Sequence, residues 1–244
     1  TLFLNQITTY ITGQSPFAVV VADVNNDLKL DIVVANIDTN TVGVFLNKGD
    51  GTFFNQVTYA TGSQPRTVDV ADVNGDGKSD IVVAIAGSNA VGVFLNGGNG
   101  TFLNQTTYAT NTQPFAVAVG DVNNDLKPDM VVGNNGAKTV SVFVNKGDGT
   151  FFNQVTYATD NNPRSVAVVD VNNDGKPDII VANQGSNNVG ILLNGGNGTF
   201  LNQTTYAING GPFFVAVGDV NNDLKPDIVA AIPGSNTTSI ILHG

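Results

Sequence analysis

The chain has 244 residues, of which 41% are apolar and none is Cys; it can bury a core without disulfides, and thiol nucleophiles and thiolate metal sites are excluded. Its formal net charge of −10, with no Lys/Arg patch to neutralise phosphates, argues against a nucleic-acid partner. No apolar run reaches the roughly 18 residues of a membrane span and no signal-peptide pattern opens the chain, so no membrane insertion is expected.

In chain order, residues 3–10 (Phe-Leu-Asn-Gln-Ile-Thr-Thr-Tyr) read as a strand with no partner beside it. They match residues 102–108 with one inserted residue. Next comes a nonapeptide that returns at Asp23, Asp72, Asp121, Asp170 and Asp219, always 49 residues apart. All twenty acidic residues are Asp, and fifteen of them lie in these five copies. The second copy shows the pattern between loops: residues 67–72 alternate small or polar residues with Val, and 80–84 form a short apolar run. Residues 90–95 and 101–108 are rich in Val, Phe, Thr and Tyr and are divided by Asn-Gly-Gly-Asn-Gly. That composition predicts four strands per repeat and no helix. The last copy stops after its third strand, residues 239–242, so residues 3–10 are expected to supply the fourth and lock a ring shut.

A period of about 40 to 50 residues made of short β-rich runs is the pattern of propeller blades. The expectation is a single all-β domain over residues 1–244, a five-bladed β-propeller with four antiparallel strands per blade, in the form of a monomeric ring. A weaker alternation overlies the repeat. Copies one, three and five read Asp-Val-Asn-Asn-Asp-Leu-Lys after Pro-Phe, whereas copies two and four carry Gly in the loop after Pro-Arg. This points to duplication of a two-blade unit. An odd ring would then set two blades of one type side by side, as a cut from a longer array would explain.

Each nonapeptide reads Asp-x-Asn-x-Asp-x-Lys-x-Asp. The candidate metal ligands are Asp23, Asn25, Asp27, Lys29 and Asp31; Asp72, Asn74, Asp76, Lys78 and Asp80; Asp121, Asn123, Asp125, Lys127 and Asp129; Asp170, Asn172, Asp174, Lys176 and Asp178; and Asp219, Asn221, Asp223, Lys225 and Asp227. The loops span 23–31, 72–80, 121–129, 170–178 and 219–227, with Lys contributing its main-chain carbonyl. Hard oxygen donors without His or Cys select Ca²⁺, which takes about six to eight oxygens, whereas Mg²⁺ suits such an all-protein cage poorly. Five Ca²⁺ would cancel the formal charge of −10, and ion binding would contribute to folding. The competing reading is an Asp/Asn-rich turn that binds nothing.

These loops, with the Gly-Asp-Gly-Thr-Phe segments at 49–53 and 147–151, resemble the FG-GAP or VCBS repeat of the integrin α-subunit propeller over essentially the whole chain. The resemblance implies a propeller with Ca²⁺ in the hairpin loops of one face and ligand recognition by the opposite face or a side. Integrin propellers have seven blades, so a count of five departs from that relative. Position 6 of the loop is Gly77 and Gly175 in two copies but Leu28, Leu126 and Leu224 in three. If the position requires positive φ, Leu is costly there and those three sites should bind Ca²⁺ more weakly.

Other recurrent residues carry weaker expectations. Tyr10, Tyr59, Tyr108, Tyr157 and Tyr206, one per repeat, should pack between blades rather than stack sugars. Phe17, Arg66, Phe115, Arg164 and Phe213 follow the loop prolines and should surround one mouth of the channel, either capping it or holding an anionic or planar ligand. Asp69, where other copies have Val or Ala, should line the channel. Asn99, Asn104, Asn197, Asn202 and Asn236 begin Asn-x-Thr sequons. With His243 the only His and few carboxylates outside the loops, the chain is not expected to be an enzyme. The expected role is a calcium-binding adhesion or binding module, extracellular or at the cell surface, for a protein or glycan ligand. The alternatives are a multivalent lectin, which the absence of Trp disfavours, and a spacer in a larger surface protein.

Overall fold

A computed structural model describes residues 7–244. Among the described residues the chain forms five antiparallel meander sheets in sequence order, besides two small two-stranded hairpins. The first four each have four strands: Pro16–Ala22, Asp31–Asn36, Thr41–Phe45 and Val57–Ala60; Pro65–Ala71, Asp80–Ile85, Ala90–Phe94 and Thr106–Ala109; Pro114–Gly120, Asp129–Asn134, Thr139–Phe143 and Val155–Ala158; and Pro163–Val169, Asp178–Asn183, Asn188–Leu192 and Thr204–Ala207. The fifth has three, Phe214–Gly218, Asp227–Ile232 and Thr237–Ile241. Each is a simple meander. Among the described residues, three single 3₁₀ turns follow second strands, and no helix is long and apolar enough to cross a membrane.

The second strands of the inner sheets carry an unbroken apolar run after their first Asp because a neighbouring sheet covers each face; Ile81, Val82, Val83, Ala84 and Ile85 have no exposed surface. The first strands pack on one another in order, each against the next. Four apolar cores lie between successive sheets. Each fully buried Val or Ile stabilises by about 1.5–3 kcal/mol, so most of the fold's cohesion lies between blades. Among the described residues no such core joins the fifth sheet to the first. Val19 and Val21 of the first sheet and Phe214 and Ile240 of the fifth stay exposed, at 64%, 53%, 46% and 55%.

Two expectations are adjusted by the structure. The predicted fourth strand at 101–108 is two pieces: Thr101–Phe102 pairs with Asn96–Gly98 in a small hairpin, and only Thr106–Ala109 joins the sheet. The hairpin turns Phe102 inward against the ring of Tyr59, with centroids 5.3 Å apart. The expected closing strand at 3–10 lies largely outside the described residues, and Ile7–Tyr10 are not in strand conformation. Tyr10 nonetheless sits edge-on to Phe45 and Phe53, and its hydroxyl accepts the N–H of Phe53 at 3.0 Å. Tyr59, Tyr108 and Tyr157 likewise reach from each outer strand into the next sheet, against Phe102, Phe151 and Phe200. The interblade role expected of the tyrosines is therefore met by these four. Tyr206 is 43% exposed, beside a cavity of about 380 Å³ lined by Ile191, Ile228 and Ile241.

Candidate metal centre

Each nonapeptide joins the first strand of its sheet to the second, so all five loops lie at one end of the sheets. In the first loop both oxygens of Asp23 turn inward: Oδ1 accepts the N–H of Asn25 and Asp27, each at 3.2 Å, and Oδ2 that of Leu28 at 2.7 Å. Asn25 Oδ1 also accepts from Asp27 N–H at 3.1 Å, and Asp27 Oδ1 from Lys29 N–H at 3.0 Å. The same ladder recurs at Asp72–Asn74–Asp76–Lys78, Asp121–Asn123–Asp125–Lys127, Asp170–Asn172–Asp174–Lys176 and Asp219–Asn221–Asp223–Lys225. Positions 1, 3 and 5 are thus bound to one another through shared amides.

Position 9 is built differently. Asp31, Asp80, Asp129, Asp178 and Asp227 have no exposed surface. In each, one oxygen accepts the N–H at position 2 of its own loop (Val24, Val73, Val122, Val171, Val220). The other accepts the main-chain N–H sixteen residues on: Asn47, Asn96, Asn145, Asn194 and His243. Among the described residues no three Asp or His side chains are drawn into a ready-made metal cluster. The position 9 carboxylates still feel those at positions 1 and 5. Burial, then these like charges, pushes Asp80 and Asp178 up and takes Asp129 to about 6, against the accepted N–H bonds that lower all three.

Lys at position 7 turns its ammonium onto the outer carboxylate oxygen at position 5, at 3.0 Å for Lys29–Asp27, 2.8 Å for Lys78–Asp76, 3.6 Å for Lys127–Asp125 and 3.3 Å for Lys176–Asp174. The hydrogen bond from Lys holds Asp27 and Asp76 below the usual carboxylate range. Lys225 instead donates to the carbonyl of Gly244. Among the described residues no cation forms an ion pair with a position 9 carboxylate. The donors are therefore all hard oxygens, with lone pairs left over after the amide bonds and a buried carboxylate lacking a counter-charge, a set that fits Ca²⁺.

Position 6 does require positive φ: Gly77 and Gly175 lie at 78° and 82°, and Leu28, Leu126 and Leu224 at 64°, 66° and 66°. These leucines are 97%, 93% and 89% exposed, so no burial offsets a left-handed cost of about 1–2 kcal/mol for a side chain there.

Sequence reasoning overlooked the asparagines after the third strands. Asn96, Asn145 and Asn194 each donate Nδ2 to the position 2 carbonyl of the preceding blade's loop and to the position 8 carbonyl of their own, all at 2.7–2.9 Å. Asn47 makes only the second kind of bond, to Leu30. Their signal was the 49-residue recurrence inside a Gly-rich stretch that reads as mere linker.

The sequence profile of the FG-GAP-like repeat matches residues 23–83, 72–132, 121–181 and 170–230. The chain belongs to the FG-GAP-like repeat family. Each FG-GAP-like match begins at the first Asp of one nonapeptide and ends in the second strand of the next sheet, so the profile spans the boundary between successive sheets. No curated protein matches the chain. Among solved structures, a lectin from Agrocybe aegerita that recognises non-reducing terminal N-acetylglucosamine is 20% identical, with a TM-score of 0.59 over 92% of this chain and 65% of that one. An auxiliary nutrient-binding protein from Bacteroides ovatus is 14% identical, with a TM-score of 0.65 over 96% of this chain and 60% of that one. Virginiamycin B lyase from Staphylococcus aureus is 14% identical, with a TM-score of 0.61 over 93% and 69%. The chain spans less than two thirds of the first two. These likenesses establish the β-propeller fold of the FG-GAP-like repeats.

Proposed function

We propose that this FG-GAP-like chain is a calcium-stabilised, non-enzymatic binding module of an extracellular or cell-surface protein, recognising a protein or glycan. One Ca²⁺ sits in each loop, held by side chains at positions 1, 3, 5 and 9 and the main-chain carbonyl at position 7. The observation that carries the reading is the position 9 carboxylate: fully buried in all five loops, held by two backbone N–H groups and given no cation. A buried carboxylate without a counter-charge is costly, and a divalent ion above it removes that cost. The five sheets are five blades; Tyr10, packed against Phe45 and Phe53 as Tyr59 is against Phe94 and Phe102, takes the place of an outer-strand tyrosine before the first blade.

Thermal unfolding with Ca²⁺ and with excess chelator tests the proposal. A large fall in Tm on chelation, restored by Ca²⁺ but poorly by Mg²⁺, is expected; an unchanged Tm would refute structural calcium. The second reading, a lectin, is favoured by the likeness to the Agrocybe aegerita protein. Calcium-dependent binding on a glycan array would select it over adhesion to protein.

A further inference from the structure

The chain's only two arginines, Arg66 and Arg164, occupy the same place in the second and fourth blades, at the end of the sheets away from the metal loops. Each follows a proline at the start of a first strand, where the pairing register slips between Pro65 and Val68 and between Pro163 and Ser165. A bulge of this kind re-aims a side chain. Both guanidinium groups stack on Phe115 of the intervening blade, 5.0 and 4.2 Å from its centroid. The outer faces are flanked by Phe17 and Phe213, each 5.3 Å from its arginine. The rings also meet one another edge-on, Phe17 with Phe115 at 5.4 Å and Phe115 with Phe213 at 6.0 Å, so the five residues form one stacked Phe/Arg cluster.

The stack contains two positive charges and no negative one. The ion pairs among the described residues are all Lys–Asp pairs within the metal loops. On the arginines' own end of the sheets, Asp38 takes the hydroxyl of Ser15 and Asp160 the amide of Asn188. Arg164 Nε donates to Gln184 Oε1 at 2.7 Å, but Arg66 Nε is buried with no hydrogen-bond partner. Desolvation, and then the charge of Arg66, holds Arg164 below the ordinary arginine value. Both arginines line a cavity of about 720 Å³ whose other walls include Gln64, Asn89, Gln113 and Asn135. Both guanidinium groups pack against aromatic rings and line the cavity without a counter-charge, and their N–H donors match the oxygens of a carboxylate, sulfate or phosphate.

We propose that this cavity is an oxyanion site, in which Arg66 and Arg164 together bind a ligand bearing two negative charges. The site deepens the binding-module reading by naming the chemical class of a ligand, and it is independent of the loops: the seven-residue first strand puts roughly 20 Å between the two ends at about 3.3 Å per residue.

The test is isothermal titration of the calcium-loaded chain with sulfate, inorganic phosphate and succinate, using acetate and chloride as monovalent controls. Saturable binding of at least one dianion, at least tenfold tighter than acetate, is expected; preference among the three separates inorganic from carboxylate ligands. The decisive variant is the double substitution Arg66→Phe and Arg164→Phe, which installs the residue that blades one, three and five already carry and so is compatible with the fold. It should keep the Tm within a few degrees and weaken dianion binding at least a hundredfold. Equal dianion binding by this folded variant, or no binding by the parent chain, would overturn the site and leave the arginines as a channel cap. A chelator arm keeps the two readings apart, since calcium dependence of Tm can hold while anion binding fails.

Discussion

The side-chain amide of Asn145 donates to the carbonyl of Val73, 2.9 Å away and 72 residues earlier in the chain. The same amide donates to Pro128, and Asn145 Oδ1 accepts the N–H of Gly147. With only 1% of its surface exposed, none of these groups can turn to water. Asn145→Ala should therefore destabilise by about 2–4 kcal/mol, since each buried partner left unpaired costs about 1–3 kcal/mol. Asn47→Ala, which breaks no bond to another blade, should cost about 1 kcal/mol. Urea midpoints of the two variants check the contrast, and equal losses would contradict it.

The three exposed leucines at positive φ offer a stabilising change. Leu28→Gly, Leu126→Gly and Leu224→Gly should each raise stability by up to about 1 kcal/mol, because strain is relieved and nothing is unburied, less the extra freedom of Gly in the unfolded chain. Gly77→Leu should lower it by a similar amount; a Cβ at Gly77 meets nothing within 4 Å, so only backbone strain is tested. On the calcium reading, titration calorimetry should also find the Gly loops tighter than the Leu loops.

Acid should act in opposite directions with and without metal. Asp80, Asp129 and Asp178 are raised above the ordinary aspartate value of 3.8, first by burial, and Asp129 reaches about 6. Between those values the folded chain binds more protons than the unfolded one, so in chelator stability rises as pH falls from about 6 towards 4. The carboxylates held low, such as Asp27 and Asp76, oppose this only near and below 3.8. With Ca²⁺ bound the same protons compete with the ion, and stability should fall across the window. Urea midpoints at pH 7 and 4.5 decide it; a fall in chelator would contradict the assignment of the position 9 carboxylates.

Tyr108 and Tyr206 should differ sharply although they hold equivalent places in the repeat. Tyr108 lies edge-on to Phe143 and Phe151, and Tyr108→Ala should cost about 3–5 kcal/mol. Tyr206→Ala, at the half-open last interface, should cost less than about 1 kcal/mol. A comparable loss at the two positions would mean that the last interface is packed like the others.

Much of this was legible in the sequence because the 49-residue step fixes loops and strands at once, and because Gly alternating with Leu at position 6 exposes a backbone requirement. The Phe/Arg mouth could be placed for the same reason. The split of residues 101–108 was not legible: Thr-Phe suits a strand and a hairpin equally, and only the packing of Phe102 against Tyr59 decides between them. Nor was the exposure of Val19 and Phe214, since burial depends on a neighbour and not on the residue's own identity. The loop ligands show a third case. The pattern named residues that the fold gathers in two groups, positions 1, 3 and 5 through shared amides and position 9 beneath them.

The asparagine clamps make the loops interdependent. Because Asn96, Asn145 and Asn194 each hold a carbonyl of the loop before them, anything that orders one loop also fixes the hairpin of the following blade, and by reciprocity the reverse is true. On the calcium reading, the loops should then titrate with nearest-neighbour coupling. Among the described residues Asn47 reaches no other loop, so the first hairpin lacks the clamp that the next three share.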